Sequence, residues 1–174
     1  PHDTGGTEWA DLARKVEDLG YSTLTVADHL DDQFAPVPAL MAAADATTTL
    51  RIGAMVFCND YKHPVVLAKQ HASLDQLSGG RLLPAFGLGV ACGPELQAFG
   101  VRREERAKIF DEALELMRRL WTEDDVTHHG ARFHVEGVTV RPKPRQQPLE
   151  VWMGGIAPSE LKRVGRLADG WLPS

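Results

Sequence analysis

The sequence predicts an α/β fold in which parallel strands alternate with covering helices. Three observations carry this. Apolar stripes at helical spacing alternate with short apolar, β-branched runs. Glycine or proline punctuates most junctions. Residues with chemistry to offer sit just past the strand-like runs, where parallel α/β proteins place their sites.

The elements follow in order. Trp9, Leu12, Ala13, Val16 and Leu19 share one helical face, with Thr7 as the cap and Gly20 as a left-handed stop. Residues 22–27 read as a short buried strand. A helix at 37–46 and a strand at 51–57 come next. Pro64 opens a helix through Val66, Leu67, Gln70, Leu74 and Leu77, which Gly79 and Gly80 close. A strand at 82–89 has its start perturbed by Pro84. A helix at 104–120 runs through Ile109, Ala113, Leu116, Met117 and Leu120. At 122–147 the pattern turns to β-like alternation and then to Arg/Pro-rich chain, which reads as an inserted hairpin and loop. A strand at 149–153, a helix at 159–168 and a strand at 170–172 end the series. Pattern alone allows a barrel or an open doubly wound sheet. There are five main strands, whereas an eight-stranded barrel takes about 250 residues. The series also begins on a helix, so the expectation is that strands are missing from both ends or that this is a reduced variant.

Composition narrows the function classes. The 174 residues are 43% hydrophobic and carry a net charge of −5, which offers no global basic field for nucleic acid. No apolar run reaches membrane-spanning length, and Pro1-His2-Asp3 does not resemble a signal sequence. The two cysteines, Cys58 and Cys92, form no disulfide framework, and a reducing cytoplasm is the expected location.

Asp28 and His29 stand where the first strand stops. An imidazole there can exchange a proton near neutral pH, and an acid can hold a ligand or orient the imidazole. A helix-capping Asp beside a surface His is the alternative. Gly154 and Gly155, followed by Ile156-Ala157-Pro158, let a ligand approach the backbone where a helix starts, an arrangement suited to phosphate. An ordinary βα turn is the alternative. Gly87-Leu88-Gly89 closes a strand, but Cys92 holds the third position of the dinucleotide spacing, so a flat ring or phosphate against glycine is the better functional reading. His128, His129 and His134 read as surface residues rather than metal ligands, and no metal site is expected. Cys92 has no assignable base partner, and His63 reads as a helix-start residue. Arg102, Arg103 and Arg106 with Glu104 and Glu105 read as a solvated, salt-bridged helix start, and Trp152 and Met153 as core.

Taken together and in order, several stretches resemble the luciferase-like monooxygenase superfamily, specifically its branch that uses the deazaflavin coenzyme F420. They are Leu19-Gly20-Tyr21 into Val26-Ala27-Asp28-His29, Leu50-Arg51-Ile52-Gly53, His63-Pro64, and Leu74-Asp75-Gln76-Leu77-Ser78-Gly79-Gly80-Arg81. Phe86-Gly87-Leu88-Gly89, Ala98-Phe99-Gly100-Val101, Gly154-Gly155 and Ala168-Asp169-Gly170-Trp171 complete the set, which spans almost the whole chain.

The resemblance implies one TIM-type (β/α) barrel domain over 1–174, incomplete at its first and last strands, with an insertion at about 122–147 acting as a lid or substrate wall. It implies a homodimer. It also implies a deazaflavin, or in the alternative FMN, at the carboxyl ends of the strands. Asp28 then matches the acid that contacts the ring and His29 the proton-handling residue. Met55 and Val56 match a non-prolyl cis peptide behind the ring. Gly87 and Gly89 match its glycine floor, and Gly154, Gly155 and Ile156 the phosphate loop. The implied reaction is hydride transfer between the deazaflavin and a small organic substrate. The rivals are an FMN monooxygenase on the same fold and a non-catalytic flavin-binding remnant. Some relatives place a second acid just after the glycine strand. The only nearby candidate, Glu95, falls too far along the sequence to be assigned that role.

Overall fold

The computed structural model describes residues 5–88 and 93–173. Its order is α1 (Gly6–Asp18), β1 (Thr23–Val26), α2 (Pro36–Ala46), β2 (Arg51–Ala54) and β3 (Phe57–Cys58). A single 3₁₀ turn (Asn59–Tyr61), α3 (Pro64–Leu77), β4 (Leu82–Leu83), β5 (Ala85–Gly87) and α4 (Gly93–Ala98) follow. Then come α5 (Arg106–Thr122), β6 (Val126–His129), β7 (His134–Val138), β8 (Trp152–Gly154), α6 (Pro158–Leu167) and β9 (Gly170–Leu172). No helix among the described residues is long and apolar enough to cross a membrane.

Seven strands form two parallel sheets, each in chain order. β1 pairs with β2 and β2 with β4; β3 pairs with β5, β5 with β8, and β8 with β9, all parallel. Two of the predicted strands are each divided in two. The run at 51–57 breaks at the cis peptide between Met55 and Val56, and the run at 82–89 breaks at Pro84. Pro84 has no N–H to give the ladder, but its carbonyl still accepts from Trp152 N at 2.9 Å. With each divided run taken as one, five strands follow one another across the two sheets with helices outside, as in the wall of a (β/α) barrel. β2 and β4 approach closely at Gly53, where a Cβ would stand 2.4 Å from the Leu83 carbonyl oxygen.

Several local expectations are corrected. α1 starts at Gly6 on Gly5, so Thr7 lies inside the helix and caps nothing. Trp9 and Ala13 are buried, but Leu12 and Leu19 are exposed. β1 is half-buried rather than buried, because among the described residues it pairs on one side only. Gly20 does adopt the left-handed stop, at φ 82°.

Polar staples fix the wall to its helices. The Glu17 carboxylate accepts from the backbone N–H of Thr48, Thr49 and Leu50. These bonds, led by that from Thr49, hold it down at about 2. Arg81 donates to the Ala44 and Leu50 carbonyls, joining the end of α2 to the start of β2. The antiparallel hairpin β6–β7 packs beside α5, and Glu112 accepts from Arg132 N, Phe133 N and His128 Nε2 there. His128 is thus half-buried against an acid, contrary to its reading as a surface residue, while His129 and His134 are exposed.

The core holds one histidine. His71 on α3 is fully buried among Phe57, Phe86 and Trp121, and neither ring nitrogen has a hydrogen-bond partner. Burial, with the Lys62 charge adding to it, lowers its pKa from 6.5 to about 3. A folded-state pKa below the unfolded value means that the unfolded chain takes the proton first. Stability from this group is therefore lost as pH falls below 6.5 toward 3. Between pH 7 and pH 5 the expected loss is about 2 kcal/mol. Urea midpoints at both pH values check this, and His71→Leu should flatten the slope.

Candidate active site

Because the strands are parallel, their carboxyl ends open on one side, and the predicted site residues meet there. A cleft of about 370 Å³ is lined by Asp28, His29, Met55, Val56, Cys58, Tyr61, Gly87, Leu88, Gly154, Gly155, Ile156 and Glu160. Every predicted site residue lines it except Gly89, which lies outside the described residues. The Met55–Val56 peptide is cis, as expected, and Met55 is half-exposed on the cleft floor.

Asp28 is buried and caps no helix. Its Oδ2 accepts from Cys58 N at 2.9 Å and from Lys62 Nζ at 2.5 Å. The acid therefore ties the end of β1 to the chain that follows the cis peptide. The Lys62 ammonium also lies 5.6 Å from the centre of the Tyr61 ring. Burial raises the pKa of the Cys58 thiol, so Cys58 is a neutral wall rather than a nucleophile.

His29 has an acidic partner after all. Glu95 on α4 brings Oε2 to 3.3 Å from His29 Nδ1, while its Oε1 accepts from Leu30 N at 2.9 Å. The Tyr61 hydroxyl donates to the same Oε2. Glu95 is buried yet held below the usual carboxylate range, chiefly by the Tyr61 hydroxyl and then by the Leu30 N–H, against the opposing effect of burial. The expectation that Glu95 lies too far along is overturned. α4 brings the acid to the strand ends.

At the far wall, Gly155 has φ 142°, and a Cβ there would stand 2.7 Å from Glu160 Cβ. Glu160 Oε2 accepts from Ile156 N at 3.1 Å and Ala157 N at 3.0 Å. A carboxylate of the chain itself thus occupies the backbone N–H groups that lead into α6, at its N-cap Ala157 and the residue before it, which is bonding an anion there would otherwise receive. The guanidinium groups of Arg163 and Arg166 on the same helix both hold Asp111.

Sequence reasoning missed Tyr61, Lys62 and Glu160, and misjudged Glu95. Tyr61 and Lys62 carry a usable signal, since they follow a strand end just as Asp28 and His29 do. Arg106 was also misread. It is buried, and its Nε pairs with Asp60 Oδ2 at 2.5 Å, fixing the turn that carries Tyr61 onto α5. Among the described residues no group of three or more His, Cys, Asp or Glu side chains is arranged to hold a metal ion.

Comparison with known proteins gives this geometry a context. A family profile described as luciferase-like monooxygenase matches residues 2–174. An uncharacterized protein of Mycobacterium tuberculosis is 32% identical over 195 residues, which cover 97% of this chain and 66% of that protein. An F420-dependent glucose-6-phosphate dehydrogenase of Nakamurella multipartita is 29% identical over 97% of this chain and 52% of its own length. The crystal structure of the monooxygenase RslO1 from Streptomyces bottropensis superposes with a TM-score of 0.86 at 29% identity, covering 96% of this chain and 53% of that one. The chain therefore spans between about half and two thirds of the relatives that it matches.

Proposed function

The chain belongs to the luciferase-like monooxygenase family, and from that premise we propose that it serves an oxidoreductase exchanging a hydride between a deazaflavin, coenzyme F420, and a small organic substrate. The observation that carries this is the cleft itself, with His29 on one wall, Gly154 and Gly155 on the opposite wall, and the cis peptide between them. The name of the Nakamurella relative supports the deazaflavin. The likeness to RslO1, a monooxygenase, favours the alternative of a monooxygenase on the same fold. A cytoplasmic location and a homodimer belong to the same reading.

The residues present fit such a cofactor. Met55, Val56, Gly87 and Leu88 offer a largely apolar floor without a bulky side chain at Gly87. Gly154, Gly155 and Ile156 offer backbone to a phosphate, which must displace the Glu160 carboxylate to reach the N–H groups of Ile156 and Ala157. When bound, the deazaflavin supplies the two-electron hydride chemistry. The chain's own residues position and protonate. Asp28 and Lys62 lock the floor, and His29 gives or takes the accompanying proton. Glu95 stabilises the imidazolium that forms when His29 holds it. No residue of 122–147 lines the cleft, and the chain after the hairpin bonds to Gln76, Asp75 and the Leu82 carbonyl at the start of β4, so the expectation of a lid or substrate wall is corrected.

Titrating the full-length protein with coenzyme F420 and with FMN tests this by fluorescence quenching. Binding of the deazaflavin at least about tenfold tighter than FMN is the expected result, a difference of about 1.4 kcal/mol. Tight FMN binding without deazaflavin binding transfers the reading to the monooxygenase. Binding of neither leaves the remnant.

A further inference from the structure

We propose that Tyr61 is a positioning residue whose hydroxyl, acting through Glu95, fixes the His29 proton on Nδ1 and leaves Nε2 as the nitrogen presented to the cleft. The geometry has three parts. First, His29 turns Nδ1 to Glu95 Oε2 at 3.3 Å. An ionised carboxylate only accepts, so the nitrogen facing it carries the hydrogen. The imidazole side chain is 39% exposed and lines the cleft, so Nε2 is the nitrogen left for a reacting molecule.

Second, the Glu95 carboxylate is pinned at both oxygens. Leu30 N holds Oε1 at 2.9 Å and the Tyr61 hydroxyl holds Oε2. The Tyr61 phenol is itself pushed upward, by burial first and then by Glu95, so the hydroxyl stays a donor across the working pH range. Without it, Oε2 loses the donor that sets its direction toward His29.

Third, Tyr61 anchors the segment that carries the acid. Phe99 follows Glu95 by four residues and stacks on the Tyr61 ring, with centroids 4.7 Å apart and planes at 27°. The acid and the aromatic of one segment thus both land on a single tyrosine. The charged groups beside it are engaged elsewhere. Lys62 and Cys58 N hold Asp28, and Asp60 holds Arg106, while the Cys58 thiol, its pKa raised by burial, is the one other titratable group among the described residues that meets the Tyr61 hydroxyl. Nothing in the proposed hydride transfer requires a phenol at this place, so the assignment goes beyond that reading and rests on it only for what Nε2 does.

The test is the tautomer of His29, read from the two imidazole ¹⁵N shifts in the full-length protein labelled at histidine, with His29→Asn to assign the signals. Wild-type protein is expected to show an N–H at Nδ1 and a bare Nε2. Tyr61→Phe keeps the ring and its stack on Phe99 and is expected to lower the Nδ1–H to Nε2–H ratio about tenfold, the scale of one charge-assisted hydrogen bond. Glu95→Ala is expected to invert the ratio. Unchanged His71 and His128 signals show that each variant is folded. A bare Nδ1 in the wild type, or a Tyr61→Phe ratio equal to the wild-type one, overturns the proposal. The tautomer is read without any cofactor. Its failure therefore leaves the deazaflavin reading standing, and failure to bind a cofactor leaves the tautomer result standing.

Discussion

Replacing His29 by alanine in the full-length protein lowers turnover about a thousandfold, the middle of the range for a general acid–base group. Cofactor affinity should change little, because the floor and phosphate turn are built from other residues. Stopped-flow absorbance of the cofactor on mixing with substrate separates the two effects. A uniform loss of binding and rate assigns His29 to the cleft wall, whereas a loss confined to the chemical step assigns it the proton. Glu95→Gln should show a smaller loss, because the side chain keeps its length and an acceptor oxygen but no longer stabilises the imidazolium. The acid side of the pH–rate profile carries the sign. Glu95 is depressed mainly by the Tyr61 hydroxyl, so it stays ionised below the usual carboxylate range and loses its charge only as pH falls through that lowered value. If His29→Ala keeps turnover within about threefold of wild type, proton transfer belongs to another group.

Arg106→Met costs about 3–5 kcal/mol of stability, because it leaves the Asp60 carboxylate uncompensated in the interior. Both side chains are almost wholly shielded, at 6% and 2% exposure, and Asp60 Oδ1 has no other partner. The double variant Asp60→Asn, Arg106→Met should recover most of that loss, since it removes both charges together. Urea denaturation of the three variants measures it. A single-variant cost below about 1 kcal/mol is what a solvated pair would give and would contradict the burial. The pair also bears on the site. Asp60 immediately precedes Tyr61, so loosening it loosens the anchor of Glu95.

How far the sequence could be read followed the range of the interaction. Helix and strand order was legible because it rests on local periodicity. The pattern placed α1, α3 and the parallel strands near their observed positions, with errors mostly at element ends. The break at Met55–Val56 was legible only through the family resemblance, since nothing in the local pattern of 51–57 marks a cis peptide. Arg106 was unreadable as a buried ion pair because its partner lies 46 residues away. Its neighbours Arg102 and Glu105, paired at the surface, have the same local composition.

By itself the sequence determined the alternation, the family, and which residues stand at the ends of strands. That includes Asp28-His29 and Gly154-Gly155, because strand ends are set by neighbours along the chain. Tertiary structure alone decided who faces whom. Glu95 lies 66 residues from His29 and one helix beyond the glycine strand, and only the fold-back of α4 onto Tyr61 brings the acid to the imidazole. Spacing along a chain fixes which side an element presents. The distance between two side chains on different elements depends on how those elements pack, and on this chain that packing gives His29 its partner.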